Sequence, residues 1–180
     1  MSHIAMLFPE FKKAETWRNE AFRRLNNEIN IQVYPDGHQR ELAIGYHIGC
    51  IRWFLRTYEM AKLNGLANFF SETYLERIEL MCEVPMKLCM PDGTNVQCGD
   101  AWVGEPGQHK DKFLKWATLF GRDDFLYLAT DGEQGKKPGK TEFALKESGL
   151  YSMRSSWEPA LPAGRKDSIC LVLKCGPDGG

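Results

Sequence analysis

The sequence of 180 residues is 43% apolar and 26% charged, with 23 Lys and Arg set against 24 Asp and Glu. A chain of that size can bury a core without disulfide or metal staples, and so even a charge balance excludes a general nucleic-acid or membrane-surface binder, which draws its affinity from bulk positive charge. No apolar run approaches the ~20 residues needed to cross a bilayer, and Met1-Ser2-His3 lacks the basic flank and small-residue cleavage site of an export signal.

Over 9–31, apolar residues recur at helical spacing (Phe11, Ala14, Trp17, Ala21, Phe22, Leu25, Ile29), which predicts an amphipathic helix with Pro9 in its first turn. Pro35-Asp36-Gly37 stops it; a second helix is predicted over 43–64, closed by Gly65. A third is predicted over 68–90, with Pro85 kinking or ending its regular part. Pro-Asp-Gly returns at 91–93, so the chain reads as successive helical hairpins laid side by side.

Gly and Pro gather at 104–107, 112–120 and 123–130 read as short helices, and 131–140 (DGEQGKKPGK), which has no apolar residue, reads as a linker. Beyond it the period changes. The stretches 149–157 and 168–176 have strand composition, joined by a long hairpin loop over 158–167. The domain reading is helical over 1–130, a linker over 131–140, and the start of a β domain over 141–180, truncated because a lone hairpin leaves two unpaired edges. Cys50, Cys82, Cys89, Cys98, Cys170 and Cys175 include no Cys-x-x-Cys pair; they read as free, packed thiols, which suit a reducing compartment, and not as a zinc or redox site.

Titratable side chains crowd between the first two helices: His38, Glu41, Tyr46 and His47. With the second helix starting near Ala43, Glu41 falls at its N-cap, where free amides and the helix dipole favour a carboxylate, and Tyr46 and His47 fall in its first turn. Each also has an ordinary reading, Tyr46 as a packed aromatic and His38 as a solvated loop residue. No second ligand stands at metal spacing from His47, so no metal site is predicted.

By the repeat of the turn, Asp100 belongs on the same rim as Tyr46, lining a cleft or capping the next segment. Arg40, Arg52 and Arg56 suit bidentate pairing with carboxylates or sulfates, although Arg52 and Arg56 also read as a solvated helix face. Trp102 reads as a sugar-stacking platform or as a packed rim aromatic. The residues alone leave two further functions open: a hydrolase with Glu41 and Asp100 across a cleft, and a non-catalytic scaffold that binds a glycan or a protein along its concave face.

The run from Met6 to Gly65, followed by MPDGTNVQCGDAWVG (90–104), GLYSMRSSW (149–157) and LVLKCGPDGG (171–180), resembles the heparinase II/III family of polysaccharide lyases. The most specific part is the spacing D-G-x-x-x-E-x-x-x-x-Y-H, filled by Asp36, Gly37, Glu41, Tyr46 and His47. The resemblance implies a mainly α fold, an incomplete α/α toroid of helical hairpins followed by the first strands of an antiparallel β-sandwich.

It also implies β-elimination on an anionic uronic-acid polysaccharide, with Tyr46 as general acid/base. A tyrosine hydroxyl, titrating at about 10 in water, can donate a proton at neutral pH and act as a base where its phenolate is stabilised. Glu41, His47, His38, Arg40, Asp100 and Trp102, read from the residues themselves, are the candidate substrate contacts. No cofactor is implied within these residues; a structural metal would belong to a sandwich continuing past Gly180. The Asn-His pair of the family would precede Met1 and its further histidine would follow Gly180, and His3 lies too close to the LFPEF run to match that pair. The 180 residues are therefore expected to be an internal portion, inactive alone, of a protein that such a resemblance places in the periplasm or outside the cell.

Overall fold

The computed structural model of the chain describes residues 1–158 and 168–177. Among these, helices α1 (Ser2–Leu7), α2 (Ala14–Gln32), α3 (Ile44–Leu63), α4 (Glu72–Leu88), α5 (Lys110–Phe120) and α6 (Asp123–Ala129) precede strands β1 (Glu142–Leu145), β2 (Leu150–Arg154) and β3 (Cys170–Lys174). The strands form one antiparallel sheet in the order β1-β2-β3, with Tyr151 opposite Ala144 on one side and Leu173 on the other.

The fold is mainly helical because three long amphipathic helices bury their apolar stripes against one another. Phe22 and Ile29 of α2, Ile51 and Phe54 of α3, and Tyr74, Ile78 and Met81 of α4 make the centre of the core, and the Tyr74 hydroxyl donates to the Phe54 carbonyl at 3.1 Å. Phe113, Trp116 and Phe125 pack ring against ring to attach α5 and α6. A second cluster, Ile44, Ile48, Val84, Leu88, Leu145 and Leu150, seats the sheet on α3 and α4. Ser152 reinforces that seat by donating its hydroxyl to the Lys87 carbonyl at 2.6 Å.

Several boundaries depart from expectation for local reasons. The first long helix starts at Ala14 and not at Pro9; a proline pushes the residue before it into extended backbone, so Phe8 (φ −128°, ψ 67°) ends the separate helix α1 and 9–13 form turns. The third helix starts after Ser71, preceded by a 3-10 turn at Ala67–Phe69, and it runs through Pro85 to Leu88. The stretch 131–140 is pinned to α6: the Lys136 N–H donates to the Asp123 carbonyl at 3.1 Å, and a Cβ on Gly135 would lie 2.2 Å from that same oxygen. Strand β1 was not anticipated, its four residues being too short to show a period. Residues 159–167 of the predicted hairpin loop lie outside the described residues.

Arg122, just before α6, ties the helices together. Its Nη1 donates to Glu79 (2.8 Å) and Glu83 (2.7 Å) of α4, its Nε and Nη2 to Asp124 (2.9 and 2.6 Å), and its guanidinium lies over the Phe125 ring. Hydrogen bonding to Asp124, then to the two glutamates, raises its pKa above the ordinary value. Arg122→Ala leaves three carboxylates facing one another. Because the site is a quarter exposed, the expected loss is ~2 kcal/mol, below that of a fully buried pair, read as a fall of roughly 4–8 °C in Tm by circular dichroism.

Candidate functional site

The loop between α2 and α3 carries the D-G-x-x-x-E-x-x-x-x-Y-H residues, and most of them hold it in place. Asp36 uses both carboxylate oxygens: Oδ1 accepts the His38 N–H (3.1 Å), and Oδ2 accepts the N–H (2.8 Å) and hydroxyl (2.9 Å) of Ser148, in the turn between β1 and β2. Gly37 has φ +94° and lies so close to α4 that an added Cβ would come within 2.5 Å of the Leu80 carbonyl oxygen. Arg77, one turn earlier on α4, donates to the Tyr34 carbonyl at 3.2 Å. Leu42 adopts φ 57°, costly for a branched side chain, and is retained there with its side chain buried in front of α3.

The two histidines point inward. His38 and His47 are 1% and 0% exposed, with ring centroids 4.9 Å apart. His47 Nδ1 accepts the Gln39 N–H (3.1 Å), which leaves Nε2–H to donate to the Met81 carbonyl (2.8 Å). That carbonyl is available because its usual helical donor would be residue 85, and Pro85 has no N–H. His38 in turn donates Nδ1–H to the Gln39 carbonyl at 2.8 Å. A string of hydrogen bonds thus runs from His38 through Gln39 and His47, the residue after Tyr46, to α4.

Burial lowers the pKa of both rings, the neighbouring His38 adding to the effect at His47; His109 is pushed down to about 4 by burial and then by Lys112. The unfolded chain therefore takes up protons first as the pH falls through ~6.5. Stability is expected to be flat above that pH and to decline below it, by up to ~1.4 kcal/mol per pH unit for each imidazole that stays neutral in the fold. Urea unfolding across this range measures the slope.

Beside the loop lies a groove of about 650 Å³. One wall is a stripe of α3 at spacings of three and four, Gly45, Ile48, Gly49, Arg52, Arg56 and Glu59; the other is made by Asn95, Trp102 and residues of α5. Arg52, Arg56, Lys112 and Lys115 bring four cations to it against the single carboxylate of Glu59, which Lys115 already engages at 2.8 Å. Trp102 is 59% exposed and its ring would stand 3.0 Å from a Cβ at position 45, so the absence of a side chain at Gly45 is what lets the indole lie against the start of α3. Asn95 fixes the Trp102 loop, donating Nδ2–H to the Trp102 carbonyl (3.1 Å) and N–H to the Val103 carbonyl (2.8 Å), while its Oδ1 accepts from His109 Nε2 (2.8 Å).

Tyr46 follows Gly45 and is 48% exposed. One residue is ~100° of helix, so Tyr46 stands at the side of the groove-facing stripe. Glu41 is exposed and does not cap α3, whose N-cap is Ala43 with no side-chain bond. Arg40 lies over the Tyr34 ring and donates to the Ile31 carbonyl, and it does not line the groove. Asp100 is exposed two residues before Trp102, on the loop that meets α3. His38 and His47, expected as substrate contacts, are buried beneath the surface they were expected to form. Sequence reasoning missed Asn95, His109, Lys112 and Lys115, which meet α3 only through tertiary packing; a basic α5 alone signalled nothing.

Residues 1–127 match the family model described as heparinase II/III N-terminus. The heparin-sulfate lyase of Pedobacter heparinus is 36% identical over 96% of this chain and 25% of its own length, and that of Bacteroides stercoris 35% identical over 98% and 26%. In structure, the heparan sulfate lyase HepC from Pedobacter heparinus superposes with a TM-score of 0.81 at 35% identity, and a heparinase III with 0.85 at 25%, covering 97% and 99% of this chain and 27% and 28% of theirs. The chain thus spans about a quarter of the length of these relatives. With the family model matched over most of the sequence, this chain belongs to the heparinase II/III family.

Proposed function

We propose that this chain is part of a polysaccharide lyase acting on a glycosaminoglycan, with Tyr46 supplying the proton that the leaving glycosidic oxygen takes. In β-elimination a base removes the proton on the carbon beside the uronate carboxyl group. The electron pair left behind forms a carbon–carbon double bond as the carbon–oxygen bond to the next sugar breaks, and the departing oxygen is protonated. Charge builds on the carboxylate during proton removal, so cations and hydrogen-bond donors nearby lower the barrier. The base and the groups that neutralise the carboxylate are expected outside these 180 residues, in a protein whose helices complete an α/α toroid and whose strands continue into a β-sandwich.

The observation that carries this reading is an exposed tyrosine in the first turn of α3, after a loop locked by Asp36, Gly37 and His47 and next in sequence to Gly45, which lines a groove with four cations and a half-open indole. An anionic sugar chain matches that groove in charge, and Trp102 offers a face on which a pyranose can stack. Family membership and relatives that are heparin-sulfate lyases support the same class of substrate. The test is release of unsaturated uronides from heparan sulfate, followed by their ultraviolet absorbance, by the longer protein containing this chain and by its Tyr46→Phe variant.

A further inference from the structure

Arg52 and Arg56 stand one helical turn apart on α3 and both line the cationic groove, where Lys112 and Lys115 of α5 join them. Like charges at i and i+4 on a helix repel each other and destabilise it. Among the described residues the groove is lined by one carboxylate, Glu59, and Lys115 already engages it at 2.8 Å. Lys112 donates to the Gln108 carbonyl at 3.1 Å. Neither arginine makes a hydrogen bond or an ion pair among the described residues. Arg52 lies over the exposed Trp53 ring, 5.2 Å from its centroid, and Arg56 meets His3 only through charge, adding to the burial that lowers the histidine's pKa.

Their place along α3 decides what the two guanidinium groups can meet. Arg52 is six residues and Arg56 ten residues beyond Tyr46, which at 1.5 Å per residue is ~9 and ~15 Å along the helix axis. A proton donor must come within ~3 Å of the oxygen it serves, so both arginines stand well down the groove from a bond broken at Tyr46. Gly49 lies between, on the same stripe, and an added Cβ there would meet no atom within 4 Å. The groove thus stays open along α3 from its first turn to the arginines.

We infer that Arg52 and Arg56 bind the oxyanions, sulfate or carboxylate, of sugars lying along α3 away from the bond that is broken, and so give the enzyme a preference for long chains. Their distance from the broken bond rests on the reading of Tyr46 as proton donor; their binding of oxyanions does not. A guanidinium presents paired N–H groups that match either anion. Negative charge entering between the arginines and Lys112 relieves a repulsion that nothing on the groove wall relieves, and a neutral glycan would leave it in place. Because these sugars do not react, their contacts are equally strong in the bound substrate and the transition state, and they lower KM without raising kcat.

The test uses the longer protein that contains this chain, unaltered for turnover and as its Tyr46→Phe variant for binding. Arg52→Gln combined with Arg56→Gln removes both charges and keeps polar side chains. By titration calorimetry the combined variant should bind long heparan sulfate at least about tenfold more weakly. Its KM for that polymer should rise in step, with kcat within about twofold of the parent, and on the shortest oligosaccharide the enzyme cuts the two should differ little. Chemically desulfated heparan sulfate separates the two anions: retained dependence on the arginines assigns carboxylates, and lost dependence assigns sulfates. If the combined variant fails to fold by circular dichroism, Arg56→Gln alone decides. Unchanged Kd and KM, a loss confined to kcat, an equal loss on the shortest oligosaccharide, or the same arginine dependence with polyglutamate would each overturn the inference. Weakened binding in a protein that cuts nothing would instead fail the lyase reading and leave the arginines as oxyanion ligands.

Discussion

Replacing Tyr46 with Phe in the longer protein is expected to lower kcat by ~10²–10⁴-fold while KM changes by no more than a few-fold. The change removes one oxygen and keeps the ring, so packing on α3 is preserved. Tyr46 is nearly half exposed, and the loop beneath it is held by Asp36, Gly37, His38 and His47, none of which depends on the hydroxyl. Tm should therefore stay within a degree or so of the parent, as for a surface substitution. Unchanged turnover would remove Tyr46 from the chemistry and leave the groove as a binding surface alone. A loss in KM with kcat intact would make the tyrosine a substrate contact and not a proton donor.

Gly37→Ala is expected to produce the largest loss of stability from one methyl group in this loop, ~3 kcal/mol, with Tm lower by roughly 6–12 °C. Two costs add. The backbone at φ +94° is one that side chains with a Cβ rarely adopt, and the new carbon would sit 2.5 Å from the Leu80 carbonyl oxygen and 2.7 Å from its carbon, both part of a helix backbone that cannot step aside. The loop can relieve the contact only by lifting from α4, which would strain the Met81–His47 bond and the Ser148–Asp36 bonds together. Activity of the longer protein should then fall well below the parent even at temperatures where the variant remains folded. Unfolding curves with and without the substitution measure the first effect, and turnover at low temperature the second.

The long helices were legible because their apolar stripes repeat over many turns: α3 ends within a residue of its predicted bounds, and Gly65 follows it with φ +70°. Elements of four to six residues, α1 and β1, carry too little pattern to be seen. The loop was legible as a cluster but not in its inner arrangement. Spacing identified Tyr46 as a first-turn residue, which the structure leaves exposed. It could not show that His38 and His47 turn inward, because that depends on a carbonyl on α4 that belongs to a distant part of the sequence. Arg52 and Arg56 read as an ordinary solvated face until α5 supplied Lys112 and Lys115 across from them.

Pro85 runs against the usual expectation for a proline late in a helix. It neither ends α4 nor serves merely as tolerated damage; the vacancy it leaves at the Met81 oxygen is the socket into which the His47 ring is plugged. Two residues far apart in the chain are thus joined as lock and key, and neither makes full sense without the other. A relative that lost the histidine would keep a proline whose missing bond nothing fills, and one that lost the proline would offer the ring a carbonyl already taken. Drift at either position should be answered at the other, and the anchoring of the helix that presents Tyr46 to α4 rests in part on that pair.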